Sequence, residues 1–355
     1  MIPAIDRIIT AAIHEHVFPG AVVMVAHHDR LIHAAAYGAT MYHDPGTRPV
    51  TLDTIYDLAS LTKVFTATAA LRLHDAGMLP LDLPAQHWLP ALRAGDITVR
   101  HLLSHCSGLA VQMAPLARAG AAAIRHAVYT AIPKHPPGSV TEYANLNTFL
   151  LGELVATIYG GSLDAAISEL VYAPLGMEQT RFCPPAEWRP QIAPTEWDQA
   201  WRGDLVHGMV HDESAYALGG VAGHAGIFGI AGEALRLVQL FLREGAWEGR
   251  QLLRAETAVA ALTPQAERAG QPVSGLGWML RRPYLGPAMM VGFGHSGFTG
   301  PLMIGIPSEQ LAIIILCNRT YPRRTPPPYR HHAAGAEITR AVLQAIDSPL
   351  SRTQV

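Results

Sequence analysis

Two lysines, Lys63 and Lys134, stand among 26 Lys and Arg residues, and one of them follows a serine by three positions in Ser60-Leu61-Thr62-Lys63. Wherever a bare positive charge suffices, the chain uses arginine, which does not release its proton in a protein. Lysine can release it when partly buried, and so can act as a base or proton relay. On a helix, positions i and i+3 share a face, which sets the Lys63 amine beside the Ser60 hydroxyl. The chemistry of that pair is attack by a serine whose proton passes to a neighbouring amine. Alone, Ser-x-x-Lys also fits a surface lysine near a helix-capping serine, so its company decides the reading. Two further segments carry suitable groups: Tyr143-Ala144-Asn145, just before a helical stretch, and His295-Ser296-Gly297, which opens a glycine-rich turn. His207 and His211, four apart with Asp212 beside them, are the residue types of a metal site. The chain lacks the His-Glu-x-x-His arrangement, so hydrogen bonds that shape a loop are expected there and no metal or other cofactor is.

The elements that must position these groups follow from periodicity. Ile5, Ile8, Ile9, Ala12 and Ile13 form a helical stripe, which Pro19-Gly20 ends. Residues 21–26 and 31–37 read as strands joined by the turn His27-His28-Asp29-Arg30, and strands return at 289–291, 302–306 and 311–317. Pro307 to Gln310 makes the last hairpin turn. Between these groups lie helical stretches at 63–76, 97–104, 146–159 and 233–244, and a last helix spans about 334–346. The expectation is an α+β fold: one antiparallel sheet of N- and C-terminal strands, flanked by the terminal helices, with an inserted, mostly helical lobe. Residues 1–355 form a single catalytic unit, with 1–58 and 260–350 as the sheet lobe and 59–259 as the helical lobe.

Composition limits the partners. The formal net charge of −2, with no basic patch or tail, gives nothing for nucleic acid to bind and no electrostatic docking on a membrane. The first twenty residues read as an amphipathic helix, not a secretion signal, and the run at 311–317 is too short to span a bilayer. Cys106, Cys183 and Cys317 are scattered and odd in number, against a disulfide framework. A soluble, cytoplasmic location is the expectation; the oligomeric state stays open.

Taken in order, Ser60-Leu61-Thr62-Lys63, Tyr143-Ala144-Asn145 and His295-Ser296-Gly297 resemble the three motifs of the β-lactamase and penicillin-binding-protein serine hydrolases. The branch is that of class C β-lactamases, D-alanyl-D-alanine carboxypeptidases and family VIII carboxylesterases. Similar stretches run from about Pro19 to Leu343 and include 57–63, 101–109 and 294–300. The resemblance implies Ser60 as the nucleophile of an acyl-enzyme, with Lys63 and Tyr143 sharing a proton network in which either is the acylation base. It implies that Asn145 orients Lys63 and binds an acyl amide, and that His295, Ser296 and Gly297 bind substrate. It further implies an oxyanion hole from the backbone N–H groups of Ser60 and Phe298. Most β-lactamases have Lys-Thr-Gly as the third motif. Histidine there replaces a fixed cation by one only partly charged near neutral pH, which weakens the case for a β-lactam substrate.

Two more runs, from His207 to Ala215 and from Leu218 to Gly226, are similar to those of intracellular members that recycle cell wall, including an N-acetylmuramoyl-L-alanine amidase. Ser214 stands where that group usually has Asn, and Asn318 to Pro322 resembles another of its runs. The implied activity is hydrolysis of an amide or ester in small cell-wall-derived muropeptides. A broad carboxylesterase, a β-lactamase, a metallohydrolase built on the histidines, and a non-catalytic sensor of cell-wall fragments are the alternatives.

Overall fold

Leu311–Cys317 is buried along its whole length, and Gly20–His27 at all but its last residue. Strands apolar on both faces need a covering layer on each. The structure, a computed structural model, describes residues 1–28, 30–42, 44–266, 273–347 and 349, and supplies both layers. Its central sheet holds β1 (Gly20–His27), β2 (Arg30–Gly38), β3 (Val273–Ser274), β4 (Met279–Leu280), β5 (Phe293–Ser296), β6 (Leu302–Ile306) and β7 (Leu311–Cys317). The spatial order is β3-β4-β5-β6-β7-β1-β2, antiparallel throughout, with β1 and β7 paired from Ala21 opposite Cys317 to His27 opposite Leu311.

On one face, Ala21, Val23 and Val25 of β1 join Ile5 and Ile9 of α1 (Pro3–His14) and Ile338 and Val342 of the C-terminal helix Arg330–Ala345. On the other, Val22, Met24 and Ala26 pack with Leu237, Val238 and Phe241 of the helix Ala231–Leu242. The same second core contains α2 (Thr62–Asp75) and α3 (Asn145–Tyr159). Every residue of α2 from Thr62 to Leu71 is buried, so it has no solvent face. That position is what sequesters Lys63.

Two sequence expectations are corrected. Residues 289–291 do not form a strand: Val291 and Gly292 bond back to the Ala288 carbonyl, and Met290 and Val291 are exposed. The ladder starts two residues later, where Phe293 faces Gly305, because only a glycine leaves room for that ring; a Cβ at 305 would sit 2.2 Å from it. The last helix begins earlier than expected, at Arg330. Asp29 of the first expected turn, and residues 267–272, 348 and 350–355, lie outside the described residues.

Trp278 fixes the sheet edge that borders the site. It is 1% exposed and meets Phe241 and Phe293 edge-on, at centroid distances of 5.2 and 4.7 Å. Trp278→Ala removes both contacts and leaves a cavity, which destabilises by about 3–5 kcal/mol. Urea unfolding should show that loss; a change below ~1 kcal/mol would mean that the edge is held by other contacts.

Candidate active site

Ser60 lies in a single 3-10 turn, Ala59–Leu61, that runs directly into α2. Ala59 has a φ of 46°, a left-handed conformation that costs a residue with a Cβ about 1–2 kcal/mol. Asp57 holds the turn in that shape. Its Oδ1 accepts the Ala59 N–H at 2.8 Å, its Oδ2 accepts the His211 N–H at 2.7 Å, and its carbonyl accepts the Thr299 hydroxyl at 2.8 Å. One buried residue thereby ties the serine turn to the 207–213 loop and to the turn after β5. The strand Tyr56–Asp57 that brings it there pairs with Ile227–Gly229, which also pairs with Arg181–Phe182.

Lys63 is 1% exposed, and its Nζ donates to Ser60 Oγ and to the His224 carbonyl, both at 2.9 Å. The carbonyl reaches it because Gly223 lies against α3: a Cβ on Gly223 would be 2.0 Å from Thr148 O and 3.0 Å from Gly152 Cα. Among the described residues no carboxylate bonds the amine. Burial pushes its pKa from 10.5 down to about 7, against the opposing pull of Asp212. Tyr143 hydrogen-bonds Ser60, and its ring centroid lies 5.1 Å from Lys63 Nζ. The residue is 37% exposed along the cleft, but desolvation of its hydroxyl end raises its pKa above 10 despite the opposing Ser60 bond. Near neutrality, therefore, Lys63 is the member of the pair that changes charge. The Tyr143 segment is docked by His105, whose ring lies 4.8 Å from the tyrosine and whose Nδ1 faces the Ala144 N–H and Asn147 Nδ2 at 3.4 and 3.3 Å.

Other expected residues fall differently. Asn145 does not bond Lys63 among the described contacts; its Nδ2 donates to Asp212 Oδ2 at 3.4 Å. Asp212 is the centre of a buried cluster with Ser214 Oγ at 2.6 Å and His224 Nε2 at 3.2 Å, and it caps the short helix Glu213–Ala217 through the Ala215 N–H. Burial opposes its ionisation, but the proximity of His224 and these hydrogen bonds prevail and hold the carboxyl far below the usual range. Ser214 thus links Asp212 to His224, which it approaches at 2.9 Å. His207 and His211 do not converge: one meets the Ile192 carbonyl at 2.9 Å, the other Glu196 at 2.8 Å.

The third motif divides. Ser296, Gly297 and Phe298 line a cleft of about 650 Å³ with Ser60, Tyr143 and Asn145. Gly297 can lie there because a side chain at that position would meet Leu58 O at 2.8 Å. His295 is absent from the lining. It is 1% exposed behind Tyr143, with ring centroids 6.0 Å apart, and burial keeps it well below 6.5, aided by the charges of Lys63 and His105. A neutral, buried histidine is no carboxylate clamp. The cleft has another cation, which the sequence reading missed. Arg282 lines it next to Tyr284, and its Nε and Nη2 are buried without a hydrogen-bond partner among the described residues. Arg324, also in the lining, is already paired with Glu196 at 2.6 Å and Glu213 at 2.8 Å. No motif surrounds Arg282 in sequence; only its place just after β4 brings it to the cleft.

The profile of the Beta-lactamase family matches residues 5–336, and the chain belongs to that family. A protein of Escherichia coli K12 named "Putative D-alanyl-D-alanine carboxypeptidase" is 31% identical over 346 residues, covering 86% of this chain and 79% of its own. Among solved structures, EstCE1, a hydrolase with promiscuous acyltransferase activity, aligns with a TM-score of 0.75 at 22% identity, over 94% of this chain and 98% of its own. A class C β-lactamase from Rhodobacter sphaeroides aligns at 0.74 and 24% identity, over 96% and 99%. The protein is a serine hydrolase with the α+β fold of this family.

The Lys63 environment sets a pH dependence. Only the neutral amine can take a proton from Ser60, so kcat/KM should rise with pH through one ionisation near 7 and fall about tenfold per unit below it. Asp212→Asn removes the carboxylate that holds the Lys63 pKa up, so the acid limb should move to lower pH. A limb that moves upward, or none between pH 5 and 8, would assign the base elsewhere.

Proposed function

We propose that this enzyme cleaves the amide bond of a small acyl compound whose leaving group ends in a carboxylate, through an acyl-enzyme on Ser60. Cell-wall-derived muropeptides are the substrate class this chemistry fits. The observation that carries the reading is Arg282, which lines the same cleft as Ser60 and Tyr143 and whose buried Nε and Nη2 have no hydrogen-bond partner among the described residues. A guanidinium offers a planar fork of N–H donors that matches a carboxylate, and a buried one lacking a protein partner is completed by such a ligand. The name of the Escherichia coli relative supports a carboxylate-terminated peptide.

In this reading Ser60 Oγ attacks the acyl carbonyl while its proton passes to Lys63 Nζ. The backbone N–H groups of Ser60 and Phe298 receive the developing oxyanion, worth about 3 kcal/mol per donor. Tyr143 gives its proton to the departing amine nitrogen and regains one from Lys63, so the C–N bond breaks without expelling an amide anion. Water then attacks the Ser60 ester, its proton following the reverse route, and the free acid leaves.

Arg282→Ala should lower kcat/KM for carboxylate-bearing amides by at least ~10-fold, the loss of one charge-assisted contact of 1.5–3 kcal/mol. Turnover of p-nitrophenyl acetate, which has no carboxylate, should change less than about threefold. Equal losses on both substrates would remove the carboxylate assignment. Ser60→Ala should abolish both activities, and a fluorophosphonate should add mass only to the peptide containing Ser60. Lys63→Arg keeps the charge but not the releasable proton, and should lower kcat by at least ~10².

A further inference from the structure

A second cavity of about 640 Å³ adjoins the first and shares with it Ala114, Glu213 and Arg324. We propose that this cavity is a recognition subsite for a pyranose ring carried on the acyl side of the substrate. The inference rests on the amidase reading above and names what the acyl group bears.

Its wall holds two tryptophans, Trp197 and Trp201, and beside small residues such as Ala117 and Pro115 it is lined by planar polar groups, among them Arg118, Gln199 and Arg323. Trp197 is 43% exposed, yet it is not loose. Its backbone N–H donates to the Pro322 carbonyl at 2.9 Å, and its indole bonds the Tyr321 hydroxyl, which in turn donates to Asp44. Trp201 stands edge-on to Tyr216 at 5.4 Å, and the Asp198 carboxylate accepts the backbone N–H groups of Ala200 and Trp201 at 3.1 and 3.0 Å. Both rings are therefore fixed before any ligand arrives. A rigid indole in water is matched by a ligand with one flat C–H face and a polar edge. Around it, Arg118 spends one N–H on the Ala200 carbonyl, and Arg323 one on Gln199 Oε1 at 3.1 Å, leaving further guanidinium donors for hydroxyl and acyl oxygens. An alkyl or aryl acyl chain would leave these groups unsatisfied, whereas a sugar uses both the ring face and the donors.

The Arg324–Glu213 ion pair forms the sill between the cavities, while Arg282 lines only the first. A substrate spanning both has its sugar on Trp197, its scissile carbonyl at Ser60 and its carboxylate at Arg282.

The test compares N-acetylmuramoyl-L-alanine with lactoyl-L-alanine, which has the same scissile amide without the ring. Wild type should prefer the first by at least ~10-fold in kcat/KM, and Trp197→Ala should erase the preference while leaving p-nitrophenyl acetate turnover within about twofold. Trp197→Phe keeps a flat ring and should retain most of the preference. Free N-acetylmuramic acid should quench tryptophan fluorescence of the Ser60→Ala protein, and not of the Ser60→Ala, Trp197→Ala protein. A preference unchanged by Trp197→Ala, or no sugar binding to Ser60→Ala, overturns the subsite. Sugar binding that persists when neither amide is cleaved would overturn the amidase reading and leave the subsite standing.

Discussion

A lysine amine buried with a hydroxyl and a carbonyl as its hydrogen-bond partners among the described residues is the constraint around which this molecule is arranged. Desolvation disfavours the charged form, and an adjacent carboxylate would cancel that effect. The fold meets both demands through geometry. A helix without a solvent face carries Lys63 into the interior, and a glycine pressed on the neighbouring helix delivers the His224 carbonyl. The one relevant acid, Asp212, is engaged by His224, Ser214 and a helix N-terminus, so it acts on Lys63 only through its field. The amine keeps the capacity to lose its proton near neutral pH because its strongest possible partner is occupied elsewhere.

Asp57 does for the backbone what that cluster does for the charge. A left-handed residue ahead of a nucleophile stores strain that surrounding contacts must hold in place. Three hydrogen bonds to one buried carboxylate and its carbonyl do so, and they join segments 154 and 242 residues away in the chain. Because Thr299 is among the donors, the turn bearing Phe298 is set against Ser60 by the same residue that fixes Ser60 itself. The two proposed oxyanion donors are then registered to each other by a short path rather than through the whole sheet.

What the sequence revealed and what it concealed divide by range. The strands at 21–26, 302–306 and 311–317 and the helix of α2 were legible because each is a long run with one period and a clear break at its end. That Ser60, Lys63 and Tyr143 come together was legible because the order and spacing of their motifs are distinctive. The strands Tyr56–Asp57 and Ile227–Gly229 were not, since two or three residues hold no period; they exist only because distant partners pair with them. The run at 289–291 misled for the opposite reason: its residues pair with no strand among those described, and Met290 and Val291 remain in water. Arg282 and the Asp212 cluster were invisible as sites because a lone arginine or an Asp-x-Ser pair has no meaning until the fold supplies a neighbour. His295 was recognisable as a motif member, but burial, which spacing does not encode, removed the charge expected of it.

That last difference explains why the cation sits where it does. His295 and Lys63 are close enough for the charge of one to lower the pKa of the other. A lysine at 295 would set a second cation against the Lys63 amine inside a desolvated pocket, where like charges interact most strongly. A neutral histidine leaves Lys63 governed by burial and Asp212 alone. In the proposed reading the positive charge for an anionic substrate is carried by Arg282, which lines the cleft beside Tyr143 and Tyr284. On that reading, recognition of the carboxylate and tuning of the base fall to different residues, so a change in one need not disturb the other.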